Sequence, residues 1–398
     1  MKEIYRKYLS ALLSFIHGTE PESLTPEEAK ELLDLAAIHS TGGIVASVYR
    51  AHPQRIDAQL LPGLRRRCLQ EISLYAGRAE RMKLLLQKLE EAGIDCVLFK
   101  GFVVRNYYPV PELRTFGDID FVIRKEDREK CHQLMLQLGY EPKDTWEPVY
   151  SYRKEAEYYE IHTGIMEVDV SDKAEYMAYF SLLWEHTRPS TLVALPHVRE
   201  LTPEYHFLYL LTHIAKHISG SGAGVRMYLD IAFFVRHFGD TLDWQWIAGE
   251  LEKLCLADFA NVAFQAVENW FGVACPITPD PTDEEIMADF LEFTMVGGVY
   301  GYVGRDKSLV FLKQQNRNEA EVSKVKTLLF HAFPPVRSLE NRYTYLQKAP
   351  VLLPVAWIQR LADSRSQWGR FADHTKNIVT ADTEEVRKLK RIYKELGL

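Results

Sequence analysis

The stretch Gly117-Asp118-Ile119-Asp120-Phe121-Val122-Ile123 decides how the rest of the chain is interpreted. Its alternation of apolar and acidic residues predicts a strand, on which residues i and i+2 lie on the same face. Asp118 and Asp120 therefore point in one direction, and two like charges side by side are costly without a compensating cation. A divalent cation supplies that compensation, and oxygen ligands suit Mg²⁺. The simpler alternative is a pair of carboxylates on a solvated strand face.

The flanking segments favour the metal site. Upstream, residues 96–99 predict a short apolar strand that ends at Lys100-Gly101, and a loop punctuated by prolines and holding Arg114 follows. Downstream, residues 165–170 predict an alternating strand with Glu167 and Asp169 on one face. We expect this strand to form a hairpin with residues 157–162 through a turn at Thr163-Gly164. Glu167 and Asp169 would then lie beside Asp118 and Asp120.

This arrangement resembles the DNA polymerase β-type nucleotidyltransferase superfamily: a strand, a glycine at a helix start, an Asp-x-Asp strand and a third carboxylate on a later strand. More narrowly, the chain is similar to the bacterial "uncharacterised nucleotidyltransferase" family over most of its length. The motifs that carry this likeness are Lys100-Gly101, Tyr108-Pro109, Arg114, Asp118-Ile119-Asp120, Gly139-Tyr140, the acids of residues 166–170, and His213-Ile214-Ala215-Lys216-His217 followed by Asp230.

The resemblance implies an α+β fold, with a small mixed β-sheet nucleotidyltransferase core flanked by an N-terminal helical segment and a large C-terminal helical region. The residue patterns place the N-terminal helical segment at 1–92, the α/β core at 93–200 and the C-terminal helical domain at 201–398. Thr25-Pro26-Glu27-Glu28 predicts a helix start, with Thr25 as N-cap, Pro26 in the first turn and Glu28 closing a capping box.

Composition narrows the class of protein. The 398 residues are 47% hydrophobic and 26% charged, which is typical of globular proteins, and the net charge of −7 argues against a nonspecific hold on nucleic acid. Five cysteines without paired metal spacing fit a reducing compartment. The start lacks a signal-peptide pattern, and no apolar run approaches the length of a membrane span. We therefore expect a cytoplasmic protein, and the resemblance implies a bacterial one.

The predicted chemistry is two-metal nucleotidyl transfer. Two Mg²⁺ ions, roughly 3.5–4 Å apart, would activate the attacking oxygen and hold the leaving pyrophosphate, with Mn²⁺ as an alternative. We assign Asp118 and Asp120 as bridging ligands and Glu167 as the third carboxylate, which would also serve as general base. Asp169 competes with Glu167 for that place, since it shares the face, and is retained as a metal ligand.

Phosphate binding is assigned to residues near the first strand and on a later helix. Gly101 would permit close backbone approach to an anion, or would only allow tight strand-to-helix packing. The superfamily has a Gly-Ser pair here, so we expect Lys100 to substitute for the serine hydroxyl as a point charge. Arg114, four residues before Asp118, would reach a phosphate or pin its loop by pairing with one of the acids.

His213 and His217 share a helix face, a spacing that can bind zinc, but a third ligand is not evident. The resemblance implies instead that these histidines, together with Lys216, face the cleft and touch nucleotide or acceptor. Packing against Asp230 is the structural alternative.

The function that follows is a Mg²⁺-dependent transferase that moves a nucleoside monophosphate from an NTP such as ATP to a hydroxyl acceptor, releasing pyrophosphate. The acceptor would be a small molecule or a protein side chain, and the acidic balance disfavours an RNA end. The alternatives are a nucleotide-binding protein that has lost the reaction, and a toxin-like member regulated by a partner.

Overall fold

The computed structural model describes residues 2–146, 148–166, 174–220, 222–277, 280–299, 301, 323–339, 343–363, 376, 378–379 and 383–398. The chain divides into two compact units, residues 1–301 with Gly397, and residues 302–396 with Leu398. The division of the sequence at residues 92 and 200 stays a prediction.

Within the described residues, strands of the first unit form one mixed sheet in the order β3-β4-β5-β2-β1-β7-β6. The strands are β1 (Cys96–Leu98), β2 (Ile119–Ile123), β3 (Glu141–Trp146), β4 (Val149–Lys154), β5 (Glu157–His162), β6 (Thr187–Pro189) and β7 (Val198–Leu201). β2 runs antiparallel to β1 and parallel to β5, so the acidic strand lies inside the sheet and not at its edge.

Along the chain, α-helices precede the first strand, separate several of the strands and follow the last strand. The α-helices of the first unit are α1 (Glu3–His17), α2 (Pro26–Ile38), α3 (Gly42–Ala51), α4 (Leu61–Glu91), α5 (Lys100–Val104), α6 (Arg128–Gln137), α7 (Ala174–Phe180), α8 (Pro203–Gly220), α9 (Val225–Phe238), α10 (Trp244–Lys253), α11 (Ala257–Phe271) and α12 (Glu284–Gly297). Short 3₁₀ helices cover Pro53–Arg55, Ala58–Leu60, Arg105–Tyr107, Pro111–Leu113, Lys125–Asp127 and Leu183–His186.

The two faces of the sheet have different partners. One face packs its apolar side chains in a single core with residues of α4 and α6, including Leu86 and Met135. That core takes Phe121 from β2 and Ile161 from β5. Because side chains alternate along a strand, Asp120, which precedes Phe121 in β2, lies on the opposite face. The acidic pair is thus kept off the α4–α6 core.

The predicted α+β class and its mixed sheet are confirmed. The capping box of α2 is also present: the Thr25 side chain accepts from the Glu28 N–H, and the Glu28 side chain accepts from the Thr25 N–H. The predicted hairpin of residues 157–162 with 165–170 is wrong, because β5 already pairs with β4 on one side and β2 on the other.

The second unit has a small core of its own around Leu346 and Ala356. Its described α-helices are α13 (Lys324–Ala332), α14 (Tyr345–Lys348), α15 (Leu353–Asp363) and α16 (Thr383–Glu395), with 3₁₀ helices at Val336–Ser338 and Pro350–Leu352. In the part of the chain that the structure describes, every helix is too short or too polar to cross a membrane.

Candidate active site

Three side chains of types that can bind a metal ion lie on the sheet face opposite the α4–α6 core. The parallel register sets Asp120 of β2 directly beside Glu160 of β5, and Val122 beside His162. Residues paired in this way share a face, and Glu160 and His162 share it as i and i+2 of one strand. The two strands therefore bring two carboxylates and one imidazole together on this face.

The spacing of these three groups fits one metal ion. Asp120, Glu160 and His162 each offer a ligand atom within 4.8 Å of the others. His162 Nε2 lies 2.9 Å from Asp120 Oδ1 and 3.9 Å from Glu160 Oε2. Ligand bonds of about 2.1 Å place the atoms around a single ion roughly 3–4 Å apart, so the residues require little movement to hold one.

Asp120 is the centre of the cluster. Its side chain is 8% exposed, and its Oδ1 accepts from Lys100 Nζ at 2.7 Å and from His162 Nε2 at 2.9 Å. Burial by itself would raise the pKa of this carboxyl, but Lys100 and His162 outweigh burial and hold the pKa well below its usual range. Asp120 is accordingly ionised at neutral pH.

Asp118 lies one residue before β2, and the charges of Asp120 and Lys100 also act on its carboxyl group. Its pKa is raised, first by burial and then by the charge of Asp120, while Lys100 and Arg226 oppose the rise. Because the charge of Asp120 disfavours ionisation of Asp118, a cation placed near both carboxylates would stabilise the charged pair. The predicted pair Asp118 and Asp120 is therefore close in space, as the alternation required.

Lys100 is fixed at the junction of β1 and α5 by its backbone. Its φ is +52°, in the left-handed region, and its N–H donates to His206 Nε2 at 3.1 Å. Burial lowers the pKa of His206 to about 3, so this imidazole is neutral and free to accept. The Lys100 ammonium also lies 5.1 Å from the centre of the Phe99 ring.

Gly101 and Arg114, both predicted to bind phosphate, contact one another. A Cβ at residue 101 would overlap the Arg114 guanidinium, so the missing side chain of Gly101 makes room for that group. Arg114 in turn donates from Nε and Nη2 to the carboxylate of Asp230, at 3.1 Å and 2.6 Å. Tyr108 adds a third donor to Asp230, at 2.7 Å. In the structure, Arg114 pins its loop to α9.

Helix α8 carries the other predicted nucleotide-binding residues. The Nε2 atoms of His213 and His217 are 3.2 Å apart, so one imidazole donates to the other. Burial, with the charges of Lys100 and Lys216 acting in the same direction, lowers the pKa of His217 to about 4. His213 stacks on Tyr209, whose ring also contacts Phe99 at 5.3 Å. Lys216 and His217 thus lie on the helix that adjoins Lys100.

The predicted third carboxylates, Glu167 and Asp169, lie outside the described residues. Glu160 and His162 were not among the residues predicted for the site. A signal was present, because residues 157–162 alternate and place these two polar side chains on one face, but nothing local indicates that this strand neighbours β2.

The chain belongs to the uncharacterised nucleotidyltransferase family, whose model matches residues 25–272, more than half of the 398 residues. The matched range includes every described residue of the site. Membership supports a role in nucleotidyl transfer, and enzymes of this kind generally use a divalent metal and a nucleoside triphosphate.

The chain is also similar to a solution structure of the antibiotic-resistance factor ANT(2'')-Ia. The alignment covers 46% of this chain and 95% of that one, at 10% identity and a TM-score of 0.34, a likeness on which we base no conclusion. The comparison with curated proteins gave no significant match.

Proposed function

We propose that this protein is a divalent-metal-dependent nucleotidyltransferase that moves a nucleoside monophosphate from an NTP to a hydroxyl acceptor and releases pyrophosphate. The observation that carries the proposal is the convergence of Asp120, Glu160 and His162 on one sheet face within 4.8 Å, next to Asp118 and Lys100. We infer a small molecule or a protein as the acceptor, with Mg²⁺ as the ion and Mn²⁺ as its substitute.

We assign Asp118, Asp120 and Glu160 as the carboxylates of the metal site, and His162 as a fourth ligand or as the donor that orients Asp120. Glu167 and Asp169 stay candidates for a further carboxylate. When bound, the metal neutralises triphosphate charge and polarises the reacting oxygens. A carboxylate of the cluster takes the proton of the acceptor hydroxyl. The hydroxyl oxygen forms a bond to the α-phosphorus, and the bond between the α-phosphorus and the leaving pyrophosphate breaks.

The remaining predicted residues divide into two roles. We propose that Lys100, Lys216 and His217 contact the nucleotide, because Lys100 pairs with Asp120 and the charges of Lys100 and Lys216 act on His217. We propose that Gly101 and Arg114 act indirectly, by tying the loop before β2 to Asp230 and so fixing where Asp118 points.

One observation favours the alternative, a nucleotide-binding protein without transfer activity. Lys100 Nζ already neutralises Asp120 at 2.7 Å, and such an ion pair satisfies the carboxylate without a metal. Under that alternative, nucleotide binds and no label is transferred.

The experiment is a label-transfer screen. Purified protein, Mg²⁺ or Mn²⁺ and each NTP are incubated with lysate fractions, with the ³²P at either the α or the γ position. We expect α-label on an acceptor and γ-label in pyrophosphate, with loss of transfer in Asp120→Asn and Glu160→Gln. Glu141→Gln is the matched control, since Glu141 lies exposed on the same sheet.

Other outcomes are equally informative. Transfer of γ-label would mean a kinase and contradict the proposal. A Mg²⁺-dependent thermal upshift with NTP, without transfer from any fraction, would support the alternative. An upshift that is unchanged in Asp120→Asn would contradict the metal assignment.

A further inference from the structure

Lys100 and the candidate metal site share one oxygen atom. Asp120 Oδ1 accepts from Lys100 Nζ at 2.7 Å, and the same atom lies 2.9 Å from His162 Nε2. An ion held by Asp120 and His162 would therefore lie against the Lys100 ammonium. The ammonium occupies one of the directions from which that carboxylate can bind a cation.

The backbone of Lys100 supports a functional constraint at this position. A φ of +52° is uncommon for a residue other than glycine, and such outliers persist where the surrounding structure enforces them. Here the N–H bond to His206 and the Phe99 ring hold the residue over Asp120. The Lys100 side chain is 19% exposed, against 8% for Asp120, so it has access to an incoming ligand.

Charge decides what happens when a cation arrives. Asp120 and Glu160 supply two carboxylates to the cluster, and Lys100 directly pairs with Asp120. A divalent ion bonded to Asp120 and an ammonium 2.7 Å from the same carboxylate repel one another strongly at such short range. The ammonium then needs another anion, and the polyphosphate that accompanies the cation provides oxygens suited to a lysine.

We infer that Lys100 is a displaceable counter-ion, which holds Asp120 until a divalent cation binds there and then moves to a phosphate oxygen of the nucleotide. This inference rests on the proposed function and adds to it an order of binding. Lys100 weakens binding of the cation alone, and it causes the cation and the polyphosphate each to increase the affinity of the protein for the other. It thereby disfavours loading of the site with metal in the absence of nucleotide.

The test measures Mn²⁺ binding directly, from the free Mn²⁺ signal in electron paramagnetic resonance. The probe for the second ligand is inorganic triphosphate. We expect Lys100→Met to bind Mn²⁺ alone at least tenfold more tightly than the wild type. We also expect the factor by which triphosphate increases Mn²⁺ affinity to be at least tenfold smaller in Lys100→Met. A role limited to stabilising the fold would not raise metal affinity, so equal or weaker Mn²⁺ binding by Lys100→Met overturns the inference.

The controls separate charge from shape. Lys83→Met removes an exposed lysine of α4 that pairs with Glu80, and is expected to leave Mn²⁺ affinity unchanged. Lys100→Arg keeps the charge and is expected to bind Mn²⁺ alone as weakly as the wild type. Lys100→Gln is the second neutral variant if Lys100→Met does not fold. Failing both, absence of mutual strengthening between Mn²⁺ and triphosphate in the wild type overturns the inference.

Asp120→Asn distinguishes failure of this inference from failure of the proposed function. If Asp120→Asn binds Mn²⁺ as the wild type does, the proposed metal site itself is wrong. If Asp120→Asn loses Mn²⁺ while Lys100→Met matches the wild type, the metal site stands and only the counter-ion role of Lys100 is wrong.

Discussion

Asp230 offers the sharpest test of how the loop before β2 is held. Its buried carboxylate, 5% exposed, accepts two bonds from Arg114 and one from Tyr108. In Asp230→Asn the Arg114 guanidinium stays buried without its counter-ion. Removing one partner of such a pair costs about 3–5 kcal/mol, far more than the net contribution of the intact pair.

The magnitude follows from a double-mutant cycle. We expect Asp230→Asn and Arg114→Met each to lower the free energy of unfolding by about 3–5 kcal/mol. The double variant leaves neither charge unpaired, so we expect its loss to be smaller than the sum of the two single losses by a coupling of about 2–3 kcal/mol. Urea unfolding followed by circular dichroism measures all four proteins.

An exposed ion pair of similar geometry serves as the control. Arg55 and Glu20 also approach to 2.6 Å, but both side chains are more than a third exposed. Solvent screens such a pair, so Arg55→Met and Glu20→Gln are expected to change stability little and additively. Additive losses for Arg114 and Asp230 would refute the reasoning, because they would mean that neither charge depends on the other.

Three further predictions follow from the same contacts. Gly101→Ala is expected to push Arg114 away from Asp230 and lower the melting temperature, whereas Gly63→Ala, in open space on α4, is expected to stabilise by about 0.5–1 kcal/mol; calorimetry of both variants checks this. Tyr108→Phe removes one donor from a buried charge and is expected to cost about 1.5–3 kcal/mol in urea unfolding. Burial lowers the pKa of His39 from 6.5 to about 4, so the unfolded chain binds a proton that the folded chain excludes, and stability falls by up to about 1.4 kcal/mol per pH unit from about 6.5 down to 4. The melting temperature is expected to depend less steeply on pH in His39→Gln than in the wild type. An unchanged slope would contradict the lowered pKa of His39.

Local sequence patterns were sufficient for part of the site. Alternation around Asp118 and Asp120 predicted a strand with both acids directed one way, and the charge of Asp120 raises the pKa of Asp118, which agrees with their closeness. The apolar run before Lys100-Gly101 predicted a short strand that ends there, and β1 ends at Leu98, two residues before Lys100. These features depend on residues adjacent in the chain, which periodicity describes.

The missing parts depend on pairing between distant segments. Glu160 reaches Asp120 only because β5 lies parallel to β2, a neighbour relation that alternation does not specify. The hairpin prediction chose Thr163-Gly164 as the turn because glycine is a turn signal. The actual connection, between β4 and β5, is Glu155-Ala156, where Glu155 takes φ +52° without any glycine.

The same limit applies to Arg114 and Asp230. They are 116 residues apart, and neither sequence neighbourhood identifies the other as its partner. Burial of both charges becomes evident only when α9 packs against the loop before β2.

The central claim is that Asp120 and Glu160 hold a metal ion with nucleotide. Its most direct test is an anomalous-difference map from crystals grown with Mn²⁺ and a non-hydrolysable NTP analogue. We expect a peak about 2.1 Å from a carboxylate oxygen of each residue, with the triphosphate bound to it. A peak elsewhere, or nucleotide bound with neither carboxylate on a metal, would contradict the claim.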